Sequence, residues 1–235
     1  MTHISYSELK TWAECPRKHK LVYIDKEKGF TGNEYTAFGS SLHALCENAV
    51  QDLIEESDYN DFFDVHFERE LEQLGPDFEL RTDLVEQMRE QAKIITPLIM
   101  PSLTEHFGEF ELVSTEEDIY ESIEGFEDYN FKGFIDLVIK TPDGKFHVID
   151  WKTCSWGWNM NKRTDPMTTY QLTYYKHFYA KKHNVEPSDI QTHFALLKRT
   201  AKKDHVEFFL VSSGNKKTNR GIWYRPWHGR CWDGN

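Results

Sequence analysis

Cysteine is scarce in this chain and badly spaced for any framework. Its 235 residues hold four (Cys15, Cys46, Cys154 and Cys231), with no CxxC pair. That spacing argues against a disulfide scaffold or a zinc site and for free thiols in a reducing cytoplasm. No run approaches the ~18 consecutive apolar residues of a membrane span. Met1 to Lys10 lacks the basic-then-apolar pattern of a secretory signal. Internal repeats and low-complexity tracts are missing too. Hydrophobic residues reach only 39%, and seven Trp, eleven Tyr and sixteen Phe fill much of the gap. Such a composition belongs to a folded protein rather than a disordered one. The length suits one medium domain that buries a real core.

Positive charge is short overall, with a net of −11, and this at first weighs against a polyanionic partner. The average conceals a sharp asymmetry. Residues 47–128 hold 25 acids against 4 bases, a net of −21, whereas residues 140–235 hold 8 acids against 17 bases, a net of +9. The acidic stretch reads as solvated helix faces. The basic half is free to meet a polyanion while the acidic part faces away.

Residues 5–8 (SYSE) carry a capping-box pattern and open a short helix that Cys15-Pro16 interrupts. Residues 29–39 read as a loop. Leu42, Leu45, Ala49 and Leu53 then fall at helical spacing, predicting a helix from Ser41 to Glu56. Residues 60–73 and 80–107 are also helical in pattern, the latter kinked or split by Pro97 and Pro101. A weak strand is expected over 111–120. Strong strands cover 130–140 and 145–152, joined by the tight turn Thr141-Pro-Asp-Gly144. An irregular loop, a helix over 167–182 and two strands over 191–199 and 206–212 complete the order. These elements predict an α/β fold with a mixed central sheet flanked by helices. Residues 1–108 form a mainly helical part, 109–212 an α/β core and 213–235 an irregular tail, all within one domain.

Two acids sit where strand patterning does not want them. Asp136 lies inside Phe134-Ile-Asp-Leu-Val-Ile139 and Asp150 ends His147-Val-Ile-Asp150. A carboxylate in an apolar strand is costly unless paired or bound to a cation. With the turn centred near 142–143, the hairpin places 136 opposite 150, and two facing carboxylates make a cradle for Mg²⁺ or Mn²⁺. Lys152, two residues beyond Asp150, shares its face. Taken alone, Asp150 and Lys152 also read as a plain salt bridge.

Five segments in order change that balance: Ser5-Tyr-Ser-Glu-Leu-Lys-Thr-Trp-Ala-Glu-Cys-Pro-Arg17, Phe38-Gly-Ser-Ser-Leu-His43, Gly133-Phe-Ile-Asp136, Val148-Ile-Asp-Trp-Lys-Thr153 and Gln171-Leu-Thr-Tyr-Tyr175. Together they resemble the PD-(D/E)XK nuclease superfamily and, within it, the RecB-like nucleases. The resemblance implies a restriction-endonuclease-like core and a metal-dependent deoxyribonuclease, with exonuclease action on DNA ends or single strands favoured. It implies His43, Asp136, Asp150 and the Trp151 carbonyl as ligands of Mg²⁺ or Mn²⁺, Lys152 as the group that positions water or offsets charge, and Gln171 and Tyr175 as contacts to the strand near the scissile phosphate. Glu117 matches an acid that the family often carries on its first strand, with Glu116 and Asp118 in competition. Repair, recombination, viral replication and CRISPR spacer acquisition all use relatives. A helicase or recombination protein is a candidate partner and the cytoplasm, a host's if the source is viral, the candidate compartment. The rival reading is a DNA-end-binding or protein-docking module on the same fold.

Some relatives hold a 4Fe–4S cluster on one early and three late cysteines. Cys15 matches the first, but only Cys231 lies near the end, so no iron–sulfur cluster is expected. For the nucleic acid, Trp156, Trp158, Lys162 and Arg163 lie in the loop after the second strong strand, and Lys198, Arg199, Lys202 and Lys203 end a later one. Arg17, Lys18 and Lys20 form another basic group. The first two groups would flank one groove, although the Trp pair also reads as loop packing and Lys202-Lys203 as a solvated turn.

Overall fold

The computed structural model describes residues 2–211 apart from Lys28 and Phe30. The expected tail, 213–235, with Cys231 and three Trp, lies outside the described residues. A short strand, β1 (Thr2–Ser5), leads into α1 (Tyr6–Glu14), where Ser5 caps the helix by accepting from the Glu8 N–H. Cys15 ends α1, and Pro16 opens the single turn α2 (Pro16–His19), followed by a wide π turn over Lys20–Ile24.

Helix α3 (Glu34–Val50) starts seven residues before the expected Ser41. The cause is Asn33, whose side chain accepts from the N–H groups of Tyr35 and Thr36 while Thr36 returns a bond to the Asn33 N–H. The expected loop over 29–39 is therefore corrected, and Gly39 lies inside the helix. A Cβ there would stand 3.1 Å from Thr153 Oγ1, so the glycine lets α3 approach the sheet. Helix α3 also stops at Val50, short of Glu56. Helices α4 (Tyr59–Glu72), α5 (Thr82–Ile95) and α6 (Ile99–Phe107) follow. Pro97 does split the long helical stretch, through a 3₁₀ turn over Thr96–Leu98. Pro101 falls in the first turn of α6, where no intrahelical N–H bond is lost, and breaks nothing.

The sheet is built on β2 (Glu111–Ile123), β3 (Phe126–Lys140) and β4 (Phe146–Cys154). After β4 come the single-turn α7 (Met160–Thr164), unforeseen in the expected loop, and α8 (Pro166–His183), capped by Asp165. Strands β5 (Ile190–Lys198) and β6 (Val206–Leu210) close the sheet. The sheet runs β1-β3-β4-β5-β6, with β2 on the other edge of β3. It is mixed: β1 is parallel to β3 and β4 to β5, and the other pairs are antiparallel. Strand β1 escaped notice because four residues carry no period of their own; only β3 gives them a partner.

Helices cover both faces. On one, Phe38, Leu42 and Leu45 of α3 and apolar residues of α4 to α6 pack on Leu137, Ile139, Ile149, Trp151 and Leu197. On the other, Leu172, Phe178 and Tyr179 of α8 pack on Phe131, Ile135, Val138, Val148 and Phe194. No helix among the described residues is long and apolar enough to cross a membrane.

The pairing of β3 is what positions the candidate site. β2 runs along one edge of β3. The other edge is shared, with β1 pairing over Tyr129–Lys132 and β4 over Leu137–Lys140. Between them, residues 133–136 have no strand partner on that edge. The sheet forks there, between the end of the β1 pairing and the start of the β4 pairing.

Candidate active site

Asp136 stands at the fork. The register Leu137↔Ile149 and Val138↔Val148, continued by one residue, places Asp136 opposite Asp150, as the hairpin arithmetic predicted. The backbone ladder stops short of this pair, and a side chain takes over: the Trp151 N–H donates to Asp136 Oδ2 at 2.7 Å. The backbone of Trp151 also bonds His43, in the sense that favours a protonated ring, so its carbonyl faces that imidazole. His43 Nδ1 lies 3.7 Å from Asp136 Oδ2. Helix α3 delivers His43 from one side of the gap.

Helix α8 supplies the other side. Gln171 Nε2 donates to Asp150 Oδ1 at 2.8 Å and to Tyr175 Oη at 3.1 Å. The i,i+4 spacing puts both on one helix face, and the phenol hydrogen stays free to donate elsewhere. Tyr175 lies directly on β3, where a Cβ on Gly133 would come within 2.8 Å of Tyr175 Cε1. This explains why glycine precedes the strand's acid. Asp150 is 1% exposed, and the Lys152 ammonium touches its Oδ2. That contact is charge against charge without good hydrogen-bond alignment, since Oδ2 has no well-formed hydrogen bond.

The electrostatics follow from two carboxylates sharing one ammonium. Burial, and then the Asp150 charge, push the Asp136 carboxyl well above the usual range. Burial opposes the Lys152 charge, yet Asp150 and Asp136 outweigh it and raise its pKa. Burial lowers the His43 pKa against the pull of Asp150, leaving a neutral imidazole able to ligate. The site is thus short of positive charge, and its donors are carboxylate oxygens, one carbonyl and one imidazole. That set suits a hard or borderline divalent ion. Among the described residues no group of three or more His, Cys, Asp or Glu side chains is arranged to hold a metal ion.

Two more acids stand near His43: Glu47, which the sequence reading did not single out, and Glu116, which it weighed against Glu117. Glu47, four residues after His43, and Glu116 line one cavity with His43, Ser40 and Gly39. Thr115↔Leu137 and Glu117↔Ile135 bracket Glu116, which stands across from Asp136. Its φ of 45° marks a local irregularity in β2. Burial, then Glu47 and Asp150, raise its carboxyl pKa. Glu117 is turned away instead, binding Lys182 Nζ at 2.7 Å and His183 Nε2 at 2.8 Å. Of the competing first-strand acids, Glu116 is the one that lines the cavity with His43. Helical spacing from His43 was a usable signal for Glu47. No sequence signal told Glu116 from Glu117.

The candidate nucleic-acid contacts divide. Trp156 is 66% exposed, and Lys162 is exposed with its ammonium 4.4 Å above the Trp158 ring. Trp158 itself packs on Phe194 and Phe209. Arg163 donates to Glu207 at 2.6 Å, and Lys198 reaches the same carboxylate at 3.2 Å. Arg199 is buried and donates to Gln91 and Ser155. Four of the six are thus committed to internal partners and do not form a free basic groove. Lys202 and Lys203 lie in the exposed β5–β6 turn, and Lys20 pairs with Asp25.

A family model for the PD-(D/E)XK nuclease superfamily matches residues 3–220, and the chain belongs to that superfamily. Its members generally use divalent metals. Among solved structures, the crystal structure of "Putative exonuclease" from Eubacterium rectale aligns with 90% of this chain and 73% of its own, at 12% identity and a TM-score of 0.56. That likeness shows the shared fold. The crystal structure of SSO0001 covers 90% of this chain and 68% of its own at 14% identity, with a TM-score of 0.38, too low to add to the argument. No curated protein matches the sequence.

Proposed function

We propose that the protein is a divalent-metal-dependent deoxyribonuclease that hydrolyses phosphodiester bonds at DNA ends or in single strands. One observation carries the reading: Asp136, Asp150 and Lys152 meet where one edge of β3 is open, with Gln171 and Tyr175 fixed beside them. Asp136, Asp150, His43 and the Trp151 carbonyl would hold Mg²⁺ or Mn²⁺, with Glu116 close by. Bound there, the ion would act as a Lewis acid toward the phosphate and favour water as a nucleophile.

The chain's own groups supply the rest. Lys152 accompanies Asp150 into the cleft and would orient the attacking water and offset charge building on phosphate oxygens. Gln171 locks the Asp150 carboxylate with one amide hydrogen and fixes Tyr175 with the other. The free phenol hydrogen of Tyr175, whose pKa burial raises, stays on oxygen and is available to a phosphate. Exposed Trp156 and Lys162 offer a stacking ring and a cation to the strand. A helicase or recombination partner would supply any duplex opening.

The test is cleavage of 5′- and 3′-labelled single- and double-stranded DNA, and of a closed circle, with Mg²⁺, Mn²⁺ or EDTA. Cutting with metal alone, lost in Asp150→Ala and Lys152→Ala proteins that still fold, is the expected result. Variants that cut like the parent refute the assigned roles. Absence of cutting with either metal favours the rival reading, a DNA-end-binding module.

A further inference from the structure

On the far side of Gln171 and Tyr175 from the acids, the fork holds a cavity of about 300 Å³. We propose that this cavity is a subsite for the terminal phosphate of the bound strand, with Phe134 as a platform for the end base. The inference rests on the nucleic-acid reading above.

The lining is unusual for this chain. His3, Ser5, Ser7, Lys132 and Phe134 surround the cavity, and no carboxylate does, although the sequence holds 39 acids. The Lys132 ammonium lies 5.5 Å from the centre of the Phe134 ring and has no carboxylate partner among the described residues. Ser5 spends an oxygen lone pair on the Glu8 N–H and keeps its hydroxyl hydrogen. Ser7 and Ser5 thus bring hydroxyl donors beside a cation, the set a phosphate takes. The opening turn of α1 adds its backbone dipole to side chains that already suffice. Tyr6, which also lines the cavity, is turned aside by donating to the Met167 carbonyl, and burial raises its pKa to about 12. Phe134 is 45% exposed, an apolar ring left in solvent next to a cation.

The fork also explains why the phosphate is a terminal one. A strand lying along the open edge of β3 meets Asp136 and Asp150 first, then Gly133 and Phe134. Beyond Lys132 the edge is occupied by β1, through Ser5↔Lys132 and Ile4↔Phe131. A chain following the edge cannot continue past that point. It ends in the cavity, and Gln171 and Tyr175 are shared between the acids and this end pocket. Either a 5′- or a 3′-phosphate has the required chemistry.

Metal-free binding separates this inference from the catalytic one. Fluorescence anisotropy in EDTA would compare short single strands bearing a 5′-phosphate, a 3′-phosphate or hydroxyls at both ends, with inorganic phosphate as competitor. One phosphorylated strand is expected to bind about tenfold more tightly than the hydroxyl-ended strand, the effect of one charge-assisted phosphate contact. Lys132→Met and Ser7→Ala should each erase that preference. Lys93→Met removes the same charge on remote α5 and should retain it. The inference falls if all three strands bind alike, if the preference survives both cavity variants, or if Lys132→Met weakens every strand equally, which would indicate an internal phosphate. Failure of cleavage with an intact end preference would refute the nuclease chemistry alone.

Discussion

Strands β4 and β5 carry two clusters of buried titratable side chains, a few residues apart and built on opposite rules. At the fork, Asp150 and Lys152 with Asp136 leave negative charge in excess. At the other end of the same strands, His147 Nδ1 and His193 Nε2 are 3.0 Å apart, and His147 Nε2 is 3.0 Å from Thr141 Oγ1. His106 of α6 stands edge-on to His193, while Phe107 and Phe208 pack around them. Burial lowers the pKa of all three histidines, and that of His193 reaches about 3. This cluster is neutral: His147 is bonded at both ring nitrogens, while His193 Nδ1 is buried without a partner. The fork also leaves one oxygen, Asp150 Oδ2, without a hydrogen bond, but it is charged. A sheet tolerates buried polar groups in either way, but only the second leaves work for a ligand.

Asp136→Asn should break the comparison most visibly. The amide oxygen can still accept from the Trp151 N–H, while the repelling charge disappears. Cleavage should fall by about 10³-fold or more, the scale expected when metal-assisted chemistry is removed. The metal-free protein should melt higher, by about 2–4 °C for each kcal/mol of relieved repulsion. Calorimetry in EDTA beside a cleavage assay checks both. Loss of activity together with loss of stability would make Asp136 a structural residue.

The histidine end should respond in the opposite way. His193→Ala leaves a hole and strips His147 of its ring partner. It should cost about 2–4 kcal/mol of stability with cleavage per folded molecule within about threefold, read by urea unfolding and active-site titration. The same ring sets a pH dependence. An unfolded histidine takes up its proton near pH 6.5, but folded His193 resists until about pH 3. The stability contributed by the neutral ring is complete above pH 6.5 and is lost as pH falls toward 3. Between pH 7.5 and 5 the melting midpoint should drop on the order of 5 °C, and His193→Gln should flatten that slope. An unchanged slope in the variant would assign it elsewhere.

The same contrast shows what the sequence could carry. The acids were legible because both lie in strands whose other residues are apolar, and the short turn through Pro142, Asp143 and Gly144 fixes the register that opposes them. Gln171 and Tyr175 came from the family resemblance, and helical spacing added only that they share one face. The start of α3 was not, because one Asn33 cap overrode the glycines before it. β1 was not, because its four residues become a strand only against β3. Nor was the fate of the cations: Arg163 and Lys198 look alike in sequence whether they face a groove or, as here, share Glu207. Period and register are local properties, whereas partners are decided by what the fold brings near.

Glu116 and Glu117 reduce that lesson to adjacent residues and to the smallest expected effect. Glu117 is held by Lys182 and His183, contacts that outweigh its burial and lower its pKa. These partners are partly exposed, so Glu117→Gln should cost under about 1 kcal/mol and leave cleavage within twofold. Among the described residues Glu116 has no such cation, and it faces the cavity that His43 shares. Glu116→Gln should leave the melting midpoint unchanged or raise it, while moving the half-saturating Mg²⁺ concentration upward severalfold. A metal titration of the two variants side by side decides between them. If Glu117→Gln shifts the metal requirement and Glu116→Gln does not, then the positive φ at Glu116 does not mark the acid that serves the site.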